Sequence, residues 1–318
     1  MYFLRYLYMP KIQEFIARNG LFLIKISTLA FGLAYLSFKL QSSLSNINFS
    51  LSSVSASLLI SMAFILIVLS VLNWFGELQK WKGLTGLSSY LETAKQVFIS
   101  HSISIFTPNK FGEYGGKCMF YAKDHSHRII ALTGVGHVCQ LLATVLFGII
   151  GIVYLPEFTF FYVESANVWM IGLVLLIIGT LCSLKLIRNH LKKIWITLKQ
   201  VEQTTFIKTL LWSLFRYLAF SHQFLLLLWC FDVQLTYFEG LSLIFLMYFL
   251  SSIIPSFAIS DVLIKGGIAV ALFSFFGIDK NLILTVVFLM WIFNTLLPAV
   301  LGYILLWQWK PEFQFIKK

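Results

Sequence analysis

Residues 100–123 read SHSISIFTPNKFGEYGGKCMFYAK, and the fold turns on how this stretch is read. An apolar run stops at Pro108, whose ring removes a backbone donor and disfavours helix at the residue before it. A Gly-rich restart follows and carries Glu113 and Lys117 four residues apart, the spacing that lets an acid and a base pair on one helical face. The same grammar returns over 250–273, LSSIIPSFAISDVLIKGGIAVALF. It breaks at Pro255, then carries Asp261 and Lys265 four apart beside Gly266 and Gly267. Broken apolar segments in corresponding places of two halves are the sequence mark of a transporter's binding site.

Composition sets the class around these stretches. Of 318 residues, 59% are hydrophobic and 12% charged, with a mean hydropathy of +0.85. A soluble domain carries about 25% charge, so this is the composition of an all-α polytopic membrane protein, one integral membrane domain over 1–318. The net charge of +11 then marks cytoplasmic loops rather than a nucleic-acid partner. Cys118, Cys139, Cys182 and Cys230 lie far apart in apolar surroundings and read as small core residues. His101, His137 and His222 fall in or beside apolar runs without metal-ligand spacing, so neither a metal nor a cofactor is expected.

Six spans are expected, over 21–38, 54–74, 129–154, 165–184, 209–231 and 282–307, the last bent at Pro298. Glu77, Lys80, Trp81 and Lys82 read as a polar loop after the second span, and the tryptophans as interfacial anchors. The loops over 80–128 and 185–208 and both termini are basic and face the cytoplasm. The other loops hold Glu157, Glu164, Asp232, Glu239 and Asp279 against Lys39 and Lys280, and face outward. Both flanks of the Pro108 segment are then cytoplasmic, and both flanks of the Pro255 segment are external. Each segment has to enter and leave on one side. The expected architecture is therefore two re-entrant hairpins inside inverted repeats over 54–154 and 209–307. A full crossing is disfavoured because 241–254 supplies only 14 residues where a span needs roughly 20.

An ionisable side chain at membrane depth costs roughly 2.5–3.5 kcal/mol on insertion scales, so each one needs a partner or a purpose. Glu113, Lys117, Asp261, Lys265 and Arg216 are that set, facing the pocket where the hairpin tips meet. The lysines and Arg216 supply cations for a phosphate, and the carboxylates balance them when the pocket is empty. The competing reading makes each acid–base pair a brace for its hairpin. Arg216 is the weakest member, because it lies about 12 Å along a helix from Lys208 and can snorkel to the interface.

The order Pro108-Asn109-Lys110-Phe111-Gly112-Glu113 resembles a P-x-[KR]-x-G-E signature. That signature marks the flippase-like transmembrane region of lysylphosphatidylglycerol synthases. Ile254-Pro255 with Asp261 and Lys265-Gly266 resembles the second motif of that region. The likeness covers nearly the whole chain and adds Lys110 to the candidate residues. Lys110 and Lys265 stand where arginine is expected, and Ala258 and Ser260 occupy a part that is often glycine. A lysine meets phosphate as a point charge rather than as a bidentate fork. The resemblance implies movement of a phospholipid or lipid-linked phosphate across the cytoplasmic membrane, with anionic lipid headgroups as partners. The 318 residues hold no counterpart of the soluble aminoacyl-transferring domain and no G-x-x-x-x-G-K-[ST] nucleotide loop. The alternative is a membrane-embedded lipid-modifying enzyme, or a non-catalytic subunit of one. The topology makes a direct prediction: Asn109→Cys and Thr159→Cys label with an impermeant maleimide from opposite faces of the membrane. Labelling of both from one face contradicts it.

Overall fold

The computed structural model describes residues 56–105, 107, 110–155, 201–254 and 258–309. The expected spans over 21–38 and 165–184, and the breaks at Pro108 and Pro255, lie outside these residues. The described chain is helical and contains no strand. Among the described residues, four stretches are long and apolar enough to cross a membrane: Ile60–Thr85, Ser126–Tyr154, Gln203–Cys230 and Lys280–Gln308. Hydrocarbon offers no hydrogen bonds, so a spanning backbone has to satisfy its own N–H and C=O groups, and a helix does so within one segment.

Helix α1 (Ala56–Thr85) departs from the sequence expectation. It does not end near Trp74. It continues for three more turns, and Glu77, Lys80, Trp81 and Lys82 belong to it rather than to a loop. Gly86, at φ +72°, closes it with its N–H donating to the Lys82 carbonyl, the left-handed stop that glycine adopts without strain. Helix α2 (Tyr90–Ser104) begins at Ser89, whose hydroxyl accepts from the Glu92 N–H. The seven-residue α3 (Gly112–Cys118) follows, then α4 (Ser126–Tyr154) and α5 (Gln203–Cys230). A Thr236–Glu239 capping box opens α6 (Tyr237–Ile253), and α7 (Ala258–Ser274) comes next. Asp279 caps α8 (Lys280–Trp291), which runs through a π-helical turn at Ile292–Leu296 into α9 (Leu297–Gln308). Pro298 lies in the first turn of α9. A proline cannot supply its N–H to the ladder, and here the mismatch is absorbed by the π turn just before it.

The packing of the two halves corresponds pair for pair. Helix α2 packs on α9, and α6 packs on α4. Helix α2 packs with α3 as α6 does with α7, and α3 with α4 as α7 does with α8. The two central helices, α1 and α5, pack on each other. They run antiparallel, since Arg216 reaches Asn73 and Glu77 while Gln223 reaches Ser70 and Leu66.

Small residues set these distances. A Cβ at Gly116 would stand 2.7 Å from Ser100 Cα, and one at Gly112 would stand 2.9 Å from the Ile103 carbonyl oxygen. A Gly-x-x-x-Gly face on α3 therefore lies directly against the backbone of α2, the close approach that apolar surroundings reward with dispersion contacts. Gly115, next in sequence, meets nothing within 4 Å. Gly151 of α4 and Gly302 of α9 play corresponding parts, backed by the carbonyls of Ser242 and Phe98. Gly116→Val accordingly overpacks a backbone contact and costs about 1–3 kcal/mol. Gly115→Ala gains up to about 1 kcal/mol of helix propensity. Thermal unfolding in detergent should place the two variants on opposite sides of the wild type, and equal midpoints would contradict this packing.

Candidate functional site

The site begins with Glu77. Its carboxylate accepts from the Arg216 guanidinium of α5 and from Lys80 Nζ at 3.2 Å. Arg216 Nε also donates to Asn73, to the carbonyl oxygen at 3.1 Å and to Oδ1 at 3.0 Å, and its Nη1 lies 3.3 Å from Gln140 Oε1. Lys80 is 3% exposed, so its charge rests on Glu77 rather than on water. Arg216 does not snorkel outward. Its fork is turned across the α1–α5 contact, where two helices present acceptors to it.

An uncharged chain of amides extends this cluster. Asn73 donates to Asn294 Oδ1 at 2.9 Å, and Asn294 donates to Gln223 Oε1 at 2.7 Å. Gln223, fully buried, donates to the Leu66 carbonyl and to Ser70 Oγ, both at 2.9 Å. Asn294 sits within the π turn. That turn also leaves the Thr295 carbonyl 3.1 Å from His101 Nε2.

Both sequence-predicted acid–base pairs close. Lys117 Nζ lies 2.6 Å from Glu113 Oε1, and Lys265 Nζ lies 2.6 Å from Asp261 Oδ2. Each lysine also lies near an aromatic face, Lys117 at 4.0 Å from the Trp81 ring centroid and Lys265 at 5.7 Å from that of Tyr248. Trp81 is therefore not an interfacial anchor. It is 1% exposed and held by Nε1 donating to Gln96 Oε1 at 2.8 Å, an oxygen that also accepts from the Tyr121 hydroxyl at 2.9 Å. His137 stacks on Tyr114 and brings Nε2 to 3.3 Å from Glu113 Oε2.

All six candidate side chains, Lys110, Glu113, Lys117, Arg216, Asp261 and Lys265, line one cavity of about 440 Å³. Residues from each of α1 to α8 and from the π turn share its wall, so neither half builds it alone. The sequence reading missed Glu77, Lys80, Trp74 and Asn294, which line the same space. The signal for the first two was present: Asn73, Glu77 and Lys80 fall at i, i+4 and i+7, one face of a helix. Lys110 adopts φ +59°, an uncommon conformation for a residue with a Cβ. Beside it, the Gly112 N–H donates to Thr107 Oγ1 at 2.7 Å and tightens the entry to α3.

No protein-family model matches the chain, and no curated protein or solved structure matches it. The chemistry of the site therefore rests on its geometry: a cavity of about 440 Å³ among apolar helices, walled by charges most of which pair with one another. Removing one partner of a buried pair strands the other, at a cost of about 3–5 kcal/mol. Glu77→Ala strands both Arg216 and Lys80 and should lower the thermal midpoint markedly. Glu92→Ala, which opens the half-exposed pair with Lys95 (2.7 Å), should cost no more than about 1 kcal/mol. Equal losses for the two variants would show that the Glu77 cluster carries no structural weight.

Proposed function

We propose that this chain is a multi-pass protein of the cytoplasmic membrane, with both termini inside, that moves a phosphate-bearing lipid between leaflets. The observation that carries the reading is the convergence of Lys110, Glu113, Lys117, Arg216, Asp261 and Lys265 on one cavity. Residues of two stretches far apart in sequence, 110–117 and 261–265, line it together, which suits a transporter of internally repeated design.

The helix lengths support the re-entrant assignment. Helix α2, with 15 residues, reaches about 22 Å, and α3, with 7, reaches about 10 Å. Helices α6 and α7, with 17 residues each, reach about 25 Å against a hydrocarbon core of about 30 Å. The pair-for-pair packing of the two halves and the antiparallel α1–α5 contact suit repeats related by an axis in the membrane plane. The resemblance of the Pro108–Glu113 and Pro255–Gly266 stretches to the flippase-like region of lysylphosphatidylglycerol synthases points the same way.

In this account the headgroup enters the cavity while the acyl chains stay in the surrounding lipid. Glu113 and Asp261 hold Lys117 and Lys265 at depth when the cavity is empty. A phosphate then competes with those carboxylates for the lysines, so the pairs open toward the ligand instead of leaving bare charge in an apolar bundle. No nucleotide is needed for a downhill exchange.

Translocation is read in liposomes as quencher-accessible loss of a fluorescent lipid from the inner leaflet. Wild-type protein should accelerate it. Lys265→Met should slow it about tenfold, the loss of one charge-assisted hydrogen bond. The double variant Asp261→Asn with Lys265→Met removes the pair without stranding a charge. If the pair only braces the fold, the double variant regains wild-type rate. We expect it to stay as slow as Lys265→Met while remaining monodisperse, and recovery would overturn the assignment of Lys265 to the ligand.

A further inference from the structure

The cavity is unbalanced in two independent ways. Counting the charged side chains on its wall, five cations face three carboxylates, with His101 and His137 left out of the sum. Glu113 and Asp261 each neutralise one lysine, but Glu77 alone serves both Lys80 and Arg216. Lys110, an exposed residue that lines the same wall, closes an ion pair with no carboxylate among the described residues. The surplus is two positive charges.

The second imbalance lies in the hydrogen bonds. Trp74 Nε1 and Gln140 Nε2 are buried atoms without a partner among the described residues, and both residues line the cavity. An indole N–H and an amide NH2 are donors only. His137 Nε2, also buried, is already turned toward Glu113. The unmet capacity of the wall is thus that of donors, and a buried donor left unmade is costly. The ligand complementary to this wall is rich in acceptors and carries about two negative charges.

We propose that the cavity selects a phosphomonoester, a lipid ending in a terminal phosphate, over the phosphodiester that links most phospholipid headgroups. This rests on the lipid-translocation reading and narrows its substrate. A phosphodiester brings one negative charge and two free oxygens, and leaves one cation of the surplus unmet. A phosphomonoester brings about 1.5–2 negative charges near pH 7 and three acceptor oxygens. That count matches both imbalances at once. Lys110, the cation without a carboxylate, is the residue that separates the two ligands. The Trp74 indole is the donor that a third oxygen satisfies.

The test measures binding to the full chain in phosphatidylcholine nanodiscs, with dioctanoyl phosphatidic acid, dioctanoyl phosphatidylglycerol and inorganic phosphate as probes. Phosphatidic acid should bind at least about tenfold tighter than phosphatidylglycerol, the worth of one added charge-assisted hydrogen bond. Lys110→Asn removes the charge and keeps a residue that tolerates positive φ, and it should bring the two lipids to within about twofold of each other. Trp74→Phe keeps the ring and should weaken phosphatidic acid about tenfold. Equal affinity of wild-type protein for the two lipids overturns the inference, as does a preference unchanged in Lys110→Asn. Inorganic phosphate that competes as well as phosphatidic acid makes free phosphate the ligand and overturns the lipid assignment. A monoester preference in protein that translocates nothing counts against the transport reading alone. Translocation without the preference counts against this inference alone.

Discussion

A charge placed in a low-dielectric bundle has to be met by another charge, by oriented hydrogen bonds or by a ligand, and this constraint organises the protein. Glu77 meets it for two cations at once. Without that carboxylate, Arg216 and Lys80 would be left as two like charges at the α1–α5 contact. Asn73 and Gln140 take up further guanidinium donors, so the planar fork is held in one orientation. The cavity wall inherits its geometry from this arrangement. The two lysine–carboxylate pairs stand on the helices that pack around it.

The apolar framework serves the same end by bringing backbones close. Lipid supplies no hydrophobic drive between helices, so their association depends on dispersion contacts over small residues and on buried polar bonds. Gly112 and Gly116 let α3 lie on α2, and Gly151 and Gly302 do the same for the α4–α6 and α2–α9 contacts. A seven-residue helix such as α3 is too short to be stable by itself. Packed this way it holds Glu113 and Lys117 on the wall, and the π turn before Pro298 holds Asn294 and Thr295 against the same space.

Much of this was legible because it is local. Period and length identify the long apolar helices, and acid–base spacing at i,i+4 identifies Glu113–Lys117 and Asp261–Lys265, both of which close at 2.6 Å. The Glu77 cluster was not legible in the same way. Lys80, Trp81 and Lys82 beside an apolar run have the composition of a cytoplasmic interface, and positive charge and tryptophan are what an interface favours. Only the partner, Arg216, 139 residues further on, turns that end of α1 inward. Arg216 ranked lowest among the candidate residues for the mirrored reason: an arginine within reach of a basic loop can always be drawn toward water. Trp81 was misplaced because its role depends on Gln96 and Lys117, on two other helices. Long-range polar pairing carries no periodicity, and the sequence displays only the residues that need it.

The central claim is that two broken segments and two antiparallel helices build one phosphate-binding cavity at the middle of the membrane. A structure determined in nanodiscs containing phosphatidic acid tests it most directly. The account predicts headgroup density inside the cavity, within hydrogen-bonding distance of Lys265 and Arg216, with the acyl chains leaving between helices. Ordered lipid confined to the outer surface of the bundle, with the Glu113–Lys117 and Asp261–Lys265 pairs closed and the cavity shut off from lipid, would contradict it.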